Sequence, residues 1–328
     1  MKWGFVFIRG EALGFSPQVI EDTFDLACNF FRSPVAEKNK CHISPNNMGY
    51  SSMRSEILDQ GNQKVSTVLS YLCEACSLAI NQRRAFNIGE FMDGQAQQPL
   101  PEILKARESD LGHFAGLCHN LCIQLLRRFA LGLKIRDEEG GKEWFTPRHD
   151  PSRGHSGTIL RLLYYPALAA GAFDYDAASD IRAGAHSDYG SLTLLFQRPS
   201  QSGLEIMTQE ELWAPVPIFP PGTESDPFPP ILVNVGDLLS YWTNGLLKST
   251  VHRVVFPEGN GEDRFSIAYF CHPVDDVPLV AIPSDLVASQ TTKDDSVGAN
   301  GRLTAAGHLE SRLAATYGWR TQADPARD

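Results

Sequence analysis

The sequence contains no apolar run approaching eighteen residues, the length that a membrane-spanning helix requires. It contains no Lys/Arg cluster either. Its 29 Lys+Arg are outnumbered by 39 Asp+Glu, for a formal net charge of −10. That balance argues against nucleic acid and against anionic membrane surfaces as partners. The N-terminal stretch MKWGFVFIRGE lacks the long apolar core and small-residue cleavage site of a secretory signal, so the expected location is the cytoplasm. Cysteine is sparse and odd in number, seven in all, at 28, 41, 73, 76, 118, 122 and 271. A complete disulfide framework is excluded, and reduced thiols are expected. Cys73 and Cys76 have metal-type spacing without a glycine-bearing knuckle, so buried spectators are the better reading. Repeats and low-complexity tracts are absent. Oligomeric state has no signature.

What is present is an ordinary globular composition. The 328 residues are 42% hydrophobic and 21% charged, enough for one large domain or two modest ones. The first half reads as helical. Residues 17–33 place Val19, Ile20, Phe24, Ala27 and Phe31 on one face, with Pro17 in the first turn. Residues 105–133 repeat Leu111, Phe114, Leu117, Cys118, Leu121, Leu125 and Phe129 at helical spacing. From about residue 155 the rhythm changes to short β-branched and aromatic runs: TILRLLYY, SLTLLFQ, LEIM, ILVNV, STVHRVVF and RFSIAYF. Such runs, separated by Gly, Pro and Asp, indicate an antiparallel sandwich or barrel. The proline-rich stretch 214–230 is a surface connection, and 303–317 is a closing helix. The expected organisation is a mostly helical region, 1–150, packed on a β core with a C-terminal helix, 151–328. No linker separates them, so one structural unit is expected.

Three side chains stand out as a ligand set. In an extended strand His186 and Asp188 share a face. His252, in STVHRVVF, faces opposite to the charged Arg253 and so points inward. Two imidazoles and one carboxylate on one side of a metal suit a non-haem Fe(II) oxygenase, although zinc accepts the same ligands. Further on, Arg264 shares a strand face with Ser266, Ala268 and Phe270. A guanidinium on an apolar face is costly unless it meets an anion, and its fork with a nearby hydroxyl suits a carboxylate; an outward arginine at a solvated rim is the alternative.

The ordered words around these residues are GAHSDYGSLTLLFQ (184–197), VNVGDLL (233–239), WTNG (242–245), STVHRV (249–254) and RFS (264–266). Weaker echoes are WGFVF (3–7), MGY (48–50), AFNIG (85–89) and LRLLYYP (160–166). With them the chain resembles the isopenicillin N synthase-like Fe(II)/2-oxoglutarate-dependent dioxygenases, particularly their microbial branch. The resemblance implies a double-stranded β-helix (jelly roll) core with helices packed outside. It implies that His186, Asp188 and His252 ligate Fe(II), and that Arg264 and Ser266 hold the distal carboxylate of the co-substrate 2-oxoglutarate. Tyr165 matches a tyrosine that helps to hold it. Leu163 stands where many plant relatives carry a polar Asn, so that contact is absent or replaced. Arg161 shares the face of Tyr165 and is a candidate reader of an acidic substrate group; an ion pair at the barrel rim is the alternative.

The implied reaction consumes O₂ and 2-oxoglutarate, releases succinate and CO₂, and oxidises a C–H bond of a small organic molecule. Hydroxylation, desaturation and cyclisation all remain open, and secondary metabolism is the expected setting. Two alternatives stand beside it: an oxidative cyclase or oxidase of the same fold that needs no 2-oxoglutarate, and a jelly-roll binding protein without metal. Two departures from the family pattern are also visible. The chain begins almost inside the WGF segment, and the apolar residues 65–82 read as an insertion, either a pocket wall or an exon-boundary artefact.

Overall fold

The computed structural model describes residues 3–52, 84–167, 181–255, 262–290 and 303–317. Residues 65–82, with Cys73 and Cys76, and Phe256 of the His252 run lie outside them. The strands are β1 (Phe5–Ile8), β2 (Gly49–Ser51), β3 (Arg84–Ile88), the short pair β4 (Phe91–Met92) and β5 (Gln95–Ala96), β6 (Ile159–Tyr165), β7 (Ile181–His186), β8 (Leu192–Gln197), β9 (Leu204–Met207), β10 (Trp213–Pro215), β11 (Ile231–Val235), β12 (His252–Val255) and β13 (Arg264–Cys271). One sheet has seven strands in the order β1-β11-β8-β13-β6-β3-β2, and a second has the order β10-β9-β12-β7. Neighbours in both are antiparallel.

Side-chain alternation gives the large sheet two buried faces. Its inner face meets the small sheet: Leu163, Leu232 and Ala268 pack with Ala183, Leu204 and Val254. This is the jelly-roll sandwich. Its outer face is covered by helices α1 (Pro17–Arg32) and α2 (Glu108–Gly132). Phe31 meets Tyr164 at 5.5 Å between ring centroids, Tyr164 stacks on Phe265 at 4.7 Å, and Phe114 meets Phe196 at 4.9 Å. Fully burying each such ring contributes about 1.5–3 kcal/mol. A strand buried on both faces shows little polar alternation, which is why ILRLLYY and RFSIAYF read as nearly continuous apolar runs.

Helix α1 begins where the sequence places it. Pro17 takes the first position, and Val19 N–H donates to the Ser16 hydroxyl at 3.2 Å. Cys28, Cys118, Cys122 and Cys271 are buried free thiols. The early segments WGFVF and AFNIG, too short to signal strands on their own, become β1 and β3. Their strand character comes from pairing with β11 and β6 rather than from local pattern. Among the described residues, no helix is long and apolar enough to cross a membrane.

Candidate metal centre

Strands β7 and β12 pair so that His186 and His252 are direct partners, with ring centroids 4.4 Å apart. The ladder is irregular just beyond this pair, a break that re-aims side chains at a sheet end. Strand β7 stops at His186. Asp188 lies two residues beyond the strand's last paired residue, just before the turn that leads to β8, and its carboxylate converges with the imidazoles as strand alternation leads one to expect. That turn is held by the start of helix α3 (Asp237–Trp242). Asp237 N–H donates to the Asp188 carbonyl at 2.7 Å, and Gly236 N–H to the Ser191 carbonyl at 3.0 Å. A Cβ on Gly236 would lie 2.2 Å from the Gly190 carbonyl oxygen, so only glycine permits this approach.

The donor atoms converge. Asp188 Oδ1 lies 4.0 Å from His186 Nε2 and 3.7 Å from His252 Nε2, and one donor atom from each residue falls within 4.8 Å of the others. His186 Nδ1 is 2.7 Å from the Gly184 carbonyl, and His252 Nδ1 is 3.1 Å from that of Thr250. A carbonyl only accepts, so each Nδ1 carries the proton and each Nε2 presents its lone pair to the common point. Asp188 Oδ2 accepts from Thr193 Oγ1 at 2.7 Å and from Asn234 Nδ2 at 2.6 Å, leaving Oδ1 toward the imidazoles. Burial works to raise the Asp188 pKa. The charges of His252 and His186, with the Asn234 and Thr193 hydrogen bonds, overcome it and hold the group below the ordinary carboxylate value. Two imidazoles, each with Nδ1 on a backbone carbonyl, and one carboxylate are a donor set that fits Fe(II).

On the inner face of the large sheet, Arg264 is the direct partner of Tyr165, Ser266 of Leu163, and Ala268 of Arg161. The sequence-derived clamp is thus one contiguous patch. Arg264 is 3% exposed. Its Nε donates to the carbonyls of Gln201 and Ser202 at 3.1 and 3.2 Å, and Nη1 lies 3.4 Å from the Ser266 hydroxyl. Its guanidinium sits 5.2 Å from the centre of the Tyr165 ring. Burial pulls it below the ordinary arginine value, and Tyr165 acts in the opposite sense. None of its hydrogen-bond partners among the described residues is a carboxylate. A buried cation so placed fits an incoming anion. Arg161 Nε donates to Asn87 Oδ1 at 2.7 Å, and its guanidinium lies 5.5 Å from the Phe270 ring centre. Asn87 is in turn fixed by donating to the Asn47 carbonyl at 2.7 Å.

Sequence reasoning assigned no role to Thr193, Asn234 or Asn87. The available signal was a lone polar residue in an apolar strand, as in ILVNV. Its partner depends on strand order, which local pattern does not encode.

Next to the ligand turn, Ser191 Oγ donates to His149 Nε2 at 2.9 Å, and His149 Nδ1–H donates to the Phe145 carbonyl at 2.9 Å. Burial, the first cause in each case, drives His149 down to about 4 and His272 to about 3. Both folded values lie below the unfolded 6.5, so the stability they contribute is complete above pH 6.5. It falls as the pH drops toward 4 and 3, because the unfolded chain takes up protons that the folded one refuses. The expected slope is up to about 1.4 kcal/mol per pH unit for each histidine. Thermal melts between pH 7 and 4 test this, and His149→Gln is expected to flatten the profile.

A family model described as the 2OG-Fe(II) oxygenase superfamily matches residues 156–273. One described as the N-terminal part of non-haem dioxygenases in morphine synthesis matches residues 1–89. The chain is 30% identical to the 2-oxoglutarate-dependent dioxygenase htyE of Aspergillus rugulosus, over 96% of this chain and 90% of that protein. It is 32% identical to UPF0676 protein C1494.01 of Schizosaccharomyces pombe, over 97% and 86%. Among solved structures, a full-length Neurospora crassa protein in complex with alpha-KG (2-oxoglutarate) and thymine superposes with a TM-score of 0.72 at 30% identity, covering 95% of this chain and 87% of that one.

Proposed function

The chain belongs to the 2OG-Fe(II) oxygenase superfamily, and from that premise we propose that His186, Asp188 and His252 hold the iron while Arg264, Ser266 and Tyr165 hold the distal carboxylate of 2-oxoglutarate. The protein is a non-haem Fe(II)- and 2-oxoglutarate-dependent dioxygenase that uses O₂ and acts on a small organic molecule. When bound, the iron with its co-substrates supplies the oxidising power to convert a C–H bond, with succinate and CO₂ as co-products.

The chain's own residues bind, orient and keep the site dry. Each imidazole keeps its Nδ1 proton on a backbone carbonyl and so offers Nε2 without a competing proton. Thr193 and Asn234 fix the Asp188 carboxylate, so Oδ1 meets the metal without reorganising. The three donor atoms converge within 4.8 Å of one another and would hold the iron together, and the bound iron would take up the co-substrates. Arg264 exchanges an unneutralised buried charge for an ion pair when the dicarboxylate enters. Leu163, Ala268, Leu232 and Val254 line the interior with apolar surface.

The observation that carries this reading is a buried guanidinium with no carboxylate partner among the described residues, on the face that also carries the residues steadying Asp188. Anaerobic Fe(II) reconstitution followed by a succinate-coupled screen tests it. Succinate formation that requires Fe(II), 2-oxoglutarate and an organic substrate is expected. Iron binding with no consumption of 2-oxoglutarate for any compound would favour the oxidase alternative.

Arg161, held by Asn87 over Phe270 and on the face of Tyr165, is proposed to read an acidic substrate group. Arg161→Ala is expected to raise the substrate KM at least about tenfold, in the range of one charged hydrogen bond, and to leave the 2-oxoglutarate KM unchanged. An unaltered substrate KM retires the idea. The regions 1–150 and 151–328 are proposed to work as one unit, a reading supported by β1, β2 and β3 joining the sheet of the later strands. The acidic balance supports an enzyme without nucleic-acid or anionic-membrane partners, and the resemblance supports an oxidation in secondary metabolism.

A further inference from the structure

The carboxylate patch contains a buried donor with nothing to bind. Gln197, the last residue of β8, is 2% exposed, and its Nε2 has no hydrogen-bond partner among the described residues. In the sheet it is the direct partner of Ser266, so its side chain lies on the inner face beside the Arg264–Ser266 pair. Its Oε1 faces Arg264 Nη2 at 3.5 Å. Reversing the amide would oppose two donors, because a guanidinium has no acceptor. The carbonyl end therefore belongs to Arg264, and the NH₂ end is directed elsewhere. Leaving such a group unpaired inside a protein is costly, and a bound ligand relieves that cost.

The supply of donors points the same way. Arg264 Nε is already committed to the Gln201 and Ser202 carbonyls, which leaves only the Nη groups for an anion. Strand β8 also carries Thr193, which touches Asp188, four residues before Gln197. At roughly 3.3 Å per residue, about 13 Å of strand separates the metal end from the clamp end. With the keto-acid end of a five-carbon diacid at the metal end of β8, its far carboxylate is the end directed toward Gln197.

We propose that Gln197 donates through Nε2 to the distal carboxylate of 2-oxoglutarate, and that its Oε1 steadies the Arg264 fork for the same ligand. This rests on the 2-oxoglutarate reading given above. The test is calorimetric binding of 2-oxoglutarate to the Fe(II)-loaded full-length protein under anaerobic conditions, comparing wild type with Gln197→Leu, Gln197→Met and Gln197→Glu. Leu and Met remove the donor at similar volume. Each is expected to raise Kd about ten- to a hundredfold, the worth of one hydrogen bond to a charged group. Gln197→Glu removes the donor and sets an anion against Arg264, so its loss is expected to be larger. A wild-type Kd in either apolar variant, with an unchanged melting profile, overturns the proposal. Should one apolar variant fail to fold, the other decides. Failure of the wild type itself to bind 2-oxoglutarate would overturn the underlying reading instead, so the two failures are distinguishable.

Discussion

Asp188→Ala is expected to bring Fe(II)-dependent turnover to background and to leave the purified protein without stoichiometric iron. Loss of a partner that merely orients a metal ligand costs about 10–100-fold in metal affinity. Loss of the ligand itself is expected to exceed the upper end of that range. Asp188 supplies the only anionic donor of the three, and it terminates the hydrogen bonds of Thr193 and Asn234. Asp188→Asn keeps an oxygen for Thr193 yet removes the charge, so it is expected to lose iron with less disturbance of the fold. Metal content after anaerobic reconstitution, measured with a melting curve, separates the two effects. Full iron occupancy with normal turnover in Asp188→Ala would refute the proposed ligand set.

Arg264→Leu is expected to raise the KM for 2-oxoglutarate by two to three orders of magnitude. Truncating one member of a buried, hydrogen-bonded charge pair costs about 2–5 kcal/mol, or roughly thirty- to several-thousand-fold. A merely structural arginine would not produce the accompanying thermal signature. Ligand at a hundred times its Kd stabilises a protein by about 2.7 kcal/mol, and a hundredfold weaker Kd reduces that to about 0.4 kcal/mol. The wild type should therefore melt higher when 2-oxoglutarate is added, and Arg264→Leu should not. Arg264→Lys keeps the charge and loses the fork, and an intermediate KM is expected. An undiminished thermal shift in Arg264→Leu would count decisively against the clamp.

Much of this site was legible because strand alternation is local. Arg264, Ser266 and Ala268 share a face in any strand they form, and Tyr165, Leu163 and Arg161 share one in theirs. The neighbouring Arg253 likewise marks the interior side of His252. It turns outward to pair with Glu205 at 2.8 Å, and its guanidinium lies 4.2 Å from the Trp213 ring centre. Asp188 lies just beyond the paired part of β7, where backbone hydrogen bonds from Asp237 and Gly236 hold the chain that carries it, an anchor that alternation alone does not reveal. Thr193, Asn234, Asn87 and Gln197 stood in plain sight without roles. Each acts through a residue on another strand or loop, and single-strand periodicity says nothing about which one lies next door.

By itself the amino-acid order determined which side chains share a face, which runs become strands, and that an arginine on an apolar face would be costly unless it met an anion. Each of these follows from a two-residue period and from the cost of burying charge, and both act within a few residues. Only the tertiary structure decided that His186 would lie across from His252, that Tyr165 would meet Arg264, and that the Gln197 amide would end beside the Arg264–Ser266 pair. Those pairings join segments far apart in the chain, and their register is set by closing both sheets around one core.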